Sequence, residues 1–221
     1  MTILYLIRHS VKYEKKNYES YNAHDDHFIK DEKSILSVEG EKRAEKLCKK
    51  HTFDKVEKIY ASSMVRSIQT AKYLSTRLNL PINIDERLNE RRVGVYNEKE
   101  YPNWYQLQYQ DKFFKTKDGE CQEDVCKRMN EAIEDILNQN KNKEIAVFSH
   151  GYAITFAILK WCELVNVDQN RKLTFKFKNK IFYDKVINAP EVFKLVFDEK
   201  NKLKSIKVIE YKDIPYHHSG V

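Results

Sequence analysis

The segment LYLIRHSVKY, residues 4–13, sets an apolar run against an abrupt polar end. Ile3 to Ile7 are almost unbroken in their hydrophobicity. That is the pattern of a strand buried on both faces of a parallel sheet. Arg8 and His9 close the run, and a buried strand is a poor place to leave two such side chains without a counter-charge. In open parallel sheets, ligands bind beyond the carboxyl ends of the strands. Arg8 and His9 therefore stand where a binding site is expected.

Two more strand-like runs end in the same way. KIYAS (58–62) leads into Ser62 and Ser63, with Arg66 in the first turn of the helix that should follow. EIAVFS (144–149) leads into Ser149, His150 and Gly151. Two histidines, two arginines and a helix N-terminus thus converge on one sheet edge. The combination suits an anion, because helix N–H groups and arginine forks both bind phosphate oxygens. Taken alone, each residue has a blander reading. A single strand-end histidine is more often structural, and Arg8 or Arg66 alone is an ordinary ion pair or helix surface residue. The argument rests on all four occupying equivalent topological points.

The remaining sequence supplies the frame. Residues 10–35 are polar and read as a long loop insertion near the site. Ser37 is expected to cap a helix running to about Lys50, with Ala44, Leu47 and Cys48 on its inner face. Ser63 is expected to cap a second helix, ended by Leu80-Pro81. INID (82–85) reads as a third strand and 86–97 as loop. Helices are expected at 99–114 and 121–138, the latter with Val125, Met129, Ala132, Ile133, Ile136 and Leu137 at core spacing. A largely apolar helix follows Gly151. Beyond residue 171, LTFKFK alternates, and EVFKLVFD and LKSIKVIEY flank EKNK as an antiparallel hairpin. The expected fold class is α/β: a three-layer sandwich whose mostly parallel mixed sheet is flanked by helices, with antiparallel additions at the C-terminal end. Residues 1–221 are read as one domain, with 171–221 as its β-rich extension.

Hydrophobic residues make up 41% of the chain and charged ones 33%, a composition suited to a soluble globular protein. No run reaches the roughly 18 apolar residues of a membrane span, and the N-terminus lacks a signal-peptide pattern. A cytoplasmic protein without a membrane partner is the expectation. Cys48, Cys121, Cys126 and Cys162 are too scattered for a disulfide scaffold and read as free, mostly buried thiols. The formal charge is +7. Residues 171–221 carry 12 Lys and Arg against 6 Asp and Glu, and the other residues 28 against 27. Exposed, lysine-faced strands account for this surplus better than a nucleic-acid surface, since no nucleic-acid motif accompanies it.

The ordered blocks LIRHS, LSVEG (36–40), SSMVRSIQTA (62–71), RLNERRVG (87–94) and FSHG (148–151) together resemble the histidine phosphatase superfamily, branch 1. This group includes the cofactor-dependent phosphoglycerate mutases. DGECQEDVCKR (118–128) is similar to the family's GES-containing helix start, with Cys121 in place of serine. The resemblance implies that His9 is the nucleophile, that Arg8, Arg66 and His150 surround the phosphoryl oxygens, and that Glu90 is the proton donor. Arg8, Ser10, Arg66, His150 and Gly151 are the implied substrate contacts. The implied activity is hydrolysis of a phosphomonoester through a phosphohistidine, without metal or other cofactor. The expected substrate is a phosphorylated small molecule, a phosphoprotein being the variant of this reading. A mutase is the runner-up, but its ESxWN and GW-containing segments are absent. A non-catalytic phospho-ligand module is the alternative from another class.

The chain departs from the family pattern at several positions. Ser10 replaces glycine, Lys15 stands where an asparagine often touches phosphate, and Tyr152 replaces a small residue. The HDDH run (His24–His27) reads as part of a solvated loop over the site rather than as a metal site.

Overall fold

A computed structural model describes residues 1–13, 31–95 and 99–217. The expectations for Lys15, the HDDH run and the rest of 14–30 lie outside these residues. So does His218.

The opening segment forms β1 (Thr2–Arg8), an inner strand of the main sheet. β2 (Val56–Ala61), β3 (Ile82–Ile84) and β4 (Glu144–Ser149) lie parallel to it. The hairpin of β8 (Val192–Phe197) and β9 (Leu203–Val208) joins on the other side, antiparallel, giving the order β3-β2-β4-β1-β8-β9. The C-terminal hairpin is therefore part of the main sheet.

Alternation along β1 explains the layers. Leu4 and Leu6, with Ile145 and Val147 of β4, face one hydrophobic core. Tyr5 and Ile7, with Ala146 and Phe148, face the other. α1 (Val38–Cys48) and α2 (Val65–Leu78) close the second core through Leu47, Cys48, Ala71 and Leu74. α3 (Trp104–Gln110), α4 (Gln122–Gln139) and α5 (Gly151–Ala157) close the first. Each fully buried leucine contributes about 2 kcal/mol, so a strand buried on both faces anchors the sandwich.

Ser37 caps α1 as expected, accepting from Gly40 N–H at 2.9 Å. Its own N–H donates to Val11 O at 3.0 Å. The helix packs so closely on this strand exit that a Cβ at Gly40 would lie 2.0 Å from Val11 O. Cys121 caps α4 within a capping box completed by Asp124, so its thiol does the work of a serine.

Some expectations are corrected. Ser63 does not cap α2; the N-cap is Met64, without a side-chain bond. Ser63 is drawn instead to Asn89, whose Oδ1 accepts its N–H at 2.9 Å. The helix expected over 99–114 shrinks to α3. Pro102 disfavours helix at the residue before it, and Tyr101, Trp104 and Phe114 fold together edge to face with centroids 5.5–6.3 Å apart. The β-rich region starts before residue 171. β5 (Glu163–Val167), β6 (Leu173–Phe177) and β7 (Lys180–Lys185) form a separate antiparallel sheet. All four cysteines are free and three are buried. No helix among the described residues is long and apolar enough to cross a membrane.

Candidate active site

Three neighbouring strands deliver the site residues. Arg8 pairs in register with Ser149, and the ladder continues past the strand ends: His9 N–H donates to Ser149 O at 2.9 Å and Ser62 N–H to Phe148 O at 3.0 Å. This brings His9 and His150 together, with ring centroids 5.0 Å apart.

Two contacts define the state of His9. Its Nδ1 lies 2.6 Å from Ser10 O, a carbonyl that only accepts, so Nδ1 carries the proton. Arg66 Nε donates to Nε2 at 3.1 Å. Nε2 is therefore an unprotonated acceptor. Burial, followed by the charges of Arg66 and Arg8, pushes the His9 pKa well below its ordinary value of 6.5. A neutral imidazole with a lone pair on Nε2 results. His150 is likewise held neutral, by burial and then Arg66. Its Nε2 lies 2.7 Å from Ser62 Oγ, while Nδ1 is buried without a partner.

The arginines are pinned by different partners. Arg8 Nη1 donates to Ile187 O at 3.0 Å and Asn188 O at 3.2 Å, and its Nε is a buried donor with no partner. Arg66 sits at the start of α2, where it donates from Nη1 to Asp31 O at 2.5 Å and from Nη2 to Asp31 Oδ2 at 3.1 Å. Ser10 N–H donates to Thr70 Oγ1 at 3.0 Å, and Ser10 Oγ is buried and unpartnered. Gly151 is buried as the first residue of α5.

Glu90 follows a 3₁₀ turn (Glu86–Leu88) and is 8% exposed. Its carboxylate accepts from Arg91 N–H at 2.9 Å and Ala153 N–H at 3.0 Å. Burial nevertheless raises its pKa above the ordinary 4.5. Arg128 of α4 fixes this segment, donating to Arg87 O and Asn89 O at 2.8 Å and to Glu90 O at 3.1 Å. Glu120 holds Arg128 in turn, at 2.7 Å. The segment DGECQEDVCKR thus supports Glu90 from behind.

The site accordingly combines a neutral imidazole with an unprotonated Nε2, two guanidinium groups, unpartnered donors and a buried carboxyl group with a raised pKa. Such a set is equipped to bind an oxyanion and to exchange protons beside it. No group of three or more His, Cys, Asp or Glu side chains among the described residues is arranged to hold a metal ion.

The family model for the histidine phosphatase superfamily (branch 1) matches residues 4–180. The chain belongs to this superfamily. Several solved structures share its fold over nearly its whole length. Bacillus stearothermophilus YhfR is 19% identical with a TM-score of 0.67, covering 97% of this chain and 100% of that one. The mycobacterial glucosyl-3-phosphoglycerate phosphatase with inorganic phosphate is 16% identical, TM-score 0.65, covering 95% and 96%. The Entamoeba histolytica phosphoserine phosphatase with 3-phosphoglyceric acid is 16% identical, TM-score 0.63, covering 97% and 100%. No curated protein sequence matches the chain.

Within this superfamily member, the structure gathers residues that sequence reasoning did not single out. Ser62, in the sequence no more than a strand end, partners His150. The carbonyls of Ile187 and Asn188 bind Arg8 from a turn 179 residues or more away in sequence. Backbone acceptors leave no mark in residue type, and Asp31 sits in a polar stretch with no motif of its own.

Proposed function

We propose that the protein is a phosphatase that hydrolyses a phosphomonoester through a phosphohistidine on His9. One observation carries this reading: His9 holds its proton on Nδ1 against Ser10 O and keeps Nε2 unprotonated beside Arg66. That is the state an in-line nucleophile needs.

In this reading, Nε2 attacks phosphorus as the ester oxygen leaves. Arg8, Arg66 and His150 stabilise the charge that spreads over the equatorial oxygens. Ser10 Oγ and the Gly151 backbone complete the cradle. Glu90, protonated more readily because it is buried, gives its proton to the departing alkoxide. Its carboxylate then takes a proton from water, the resulting hydroxide attacks the phosphohistidine, and inorganic phosphate and free His9 are released. Arginines and histidines supply the charge stabilisation, so the scheme requires no metal. A phosphorylated small molecule reaching into the buried cradle is the proposed substrate class.

The test is phosphate release from a panel of phosphate esters in EDTA, with wild-type protein and His9→Ala side by side. Turnover in the wild type and none in the folded variant is expected. Equal turnover in both would sink the nucleophile assignment. A wild-type protein that binds vanadate but releases no phosphate would overturn hydrolysis itself.

A further inference from the structure

We infer that Glu191 is a positioning residue for Arg8, acting through the 187–191 turn; the inference rests on the phosphatase reading above. The turn connects β7 to β8 and reaches Arg8 three times. Glu191 O accepts the Arg8 backbone N–H at 2.9 Å. Ile187 O and Asn188 O accept its Nη1 at 3.0 and 3.2 Å. Strand pairing alone would fix the backbone of Arg8. Of the three bonds, those to the Ile187 and Asn188 carbonyls hold its guanidinium.

The Glu191 side chain shapes the turn that presents those carbonyls. It is 3% exposed, and its donors come from the turn and from β7. Its Oε2 accepts from Asn188 N–H at 2.9 Å and from Tyr183 Oη at 3.3 Å. Its Oε1 accepts from Lys185 Nζ at 3.1 Å. One carboxylate thus ties the far end of the turn back to its middle and to β7. Lys185 is shared with Glu210 at 2.6 Å, and Asn188 Oδ1 also receives the His217 N–H at 2.8 Å. With Nη1 anchored behind, Arg8 Nε is left as a buried donor without a partner. A buried donor left unmet is costly unless a ligand meets it. A phosphoryl oxygen is the ligand that the proposed reaction supplies.

Three ties on one buried carboxylate would also suit a purely structural role. The two roles part in a double-mutant cycle, because residues that act through one another give non-additive losses. The full-length protein is prepared as Glu191→Gln, Glu191→Ala, Lys185→Met and Arg8→Met, with Glu191→Gln and Lys185→Met also placed in the Arg8→Met background. Each is titrated with inorganic phosphate by calorimetry and assayed for kcat and KM on p-nitrophenyl phosphate. Glu191→Ala is expected to weaken phosphate binding about tenfold, the scale of one charge-assisted hydrogen bond, with partial rescue in Glu191→Gln. In the Arg8→Met background, Glu191→Gln should add no further loss. Additive losses, or phosphate binding as in the wild type by folded Glu191→Gln, would overturn the assignment and leave the phosphatase reading standing. Should Glu191→Ala fail to fold, the Gln and Lys185→Met cycles carry the decision. A wild-type protein that binds no phosphate overturns both readings.

Discussion

Arg66 Nε donates to His9 Nε2 across 3.1 Å, while the same guanidinium grips Asp31 through both of its terminal nitrogens. One side chain therefore helps keep Nε2 of the proposed nucleophile unprotonated, and both ends of its guanidinium fork are already filled. Both halves of this arrangement can be tested.

The first half concerns His9. Its pKa is depressed by burial, and after burial by the charge of Arg66. Arg66→Ala removes the nearer positive charge and the donor at Nε2. The His9 pKa is expected to rise toward its ordinary value of 6.5, because a neighbouring positive charge disfavours the imidazolium. Long-range ¹H–¹⁵N correlation spectra against pH would show it. An unchanged titration would mean that burial alone controls the ring.

The second half concerns Asp31. Its carboxylate is 38% exposed, and Arg66 is almost wholly buried. In the proposed reaction a phosphoryl group takes the same nitrogens, displacing the carboxylate from Nη2 and the Asp31 carbonyl from Nη1. Asp31→Asn should therefore tighten inorganic phosphate binding and lower KM by about threefold, the scale of a partly exposed ion pair. Weaker binding in this variant would instead make Asp31 a contributor to the phosphate site.

Glu90 is proposed to protonate the leaving oxygen. Alkyl alkoxides need that proton, whereas nitrophenolate leaves nearly unaided. Glu90→Gln should cost an alkyl phosphate about 100-fold or more in kcat and p-nitrophenyl phosphate far less, given the usual range of general acid catalysis. Equal losses on both substrates would remove the general acid role.

Stability should depend on pH through the same side chains. His9 and His150 are depressed by burial in the folded state, so the unfolded chain takes up their protons first. Their contribution is present above 6.5 and is lost as pH falls through their folded values, at up to about 1.4 kcal/mol per pH unit for each. Glu90 works the other way, because its raised pKa favours the folded state at low pH and that gain fades as pH rises through its folded value. Urea unfolding of wild type and His150→Asn between pH 7.5 and 5.5 separates the two: the variant should lose stability with a shallower slope.

Much of this was legible in the sequence. Apolar runs ending in Arg8-His9, Ser62-Ser63 and Ser149-His150 marked three strands and the edge where they meet, because buried parallel strands are nearly continuous in hydrophobicity. The order of β8 and β9 within the main sheet was not legible, since a hairpin reads the same wherever it docks. β5 and β7 went unseen for another reason. Their alternation is broken by exposed Val165 and Ile181, and β5 carries little burial. Glu90 could be named from its motif, whereas the Arg128 and Glu120 support behind it depends on how α4 packs. Asp31 and the carbonyls at 187 and 188 were invisible because their roles are purely spatial.

The closeness of Gly40 to Val11 O has a use for engineering. The contact lies on the chain just past His9 and Ser10, and the three atoms nearest to a Cβ at Gly40 all belong to the Val11 backbone. A methyl group placed there pushes on the strand exit from outside, as a wedge does. Alanine at this position is thus a way to detune the nucleophile's seat mechanically, with every charge and every hydrogen-bonding side chain of the cradle left chemically intact.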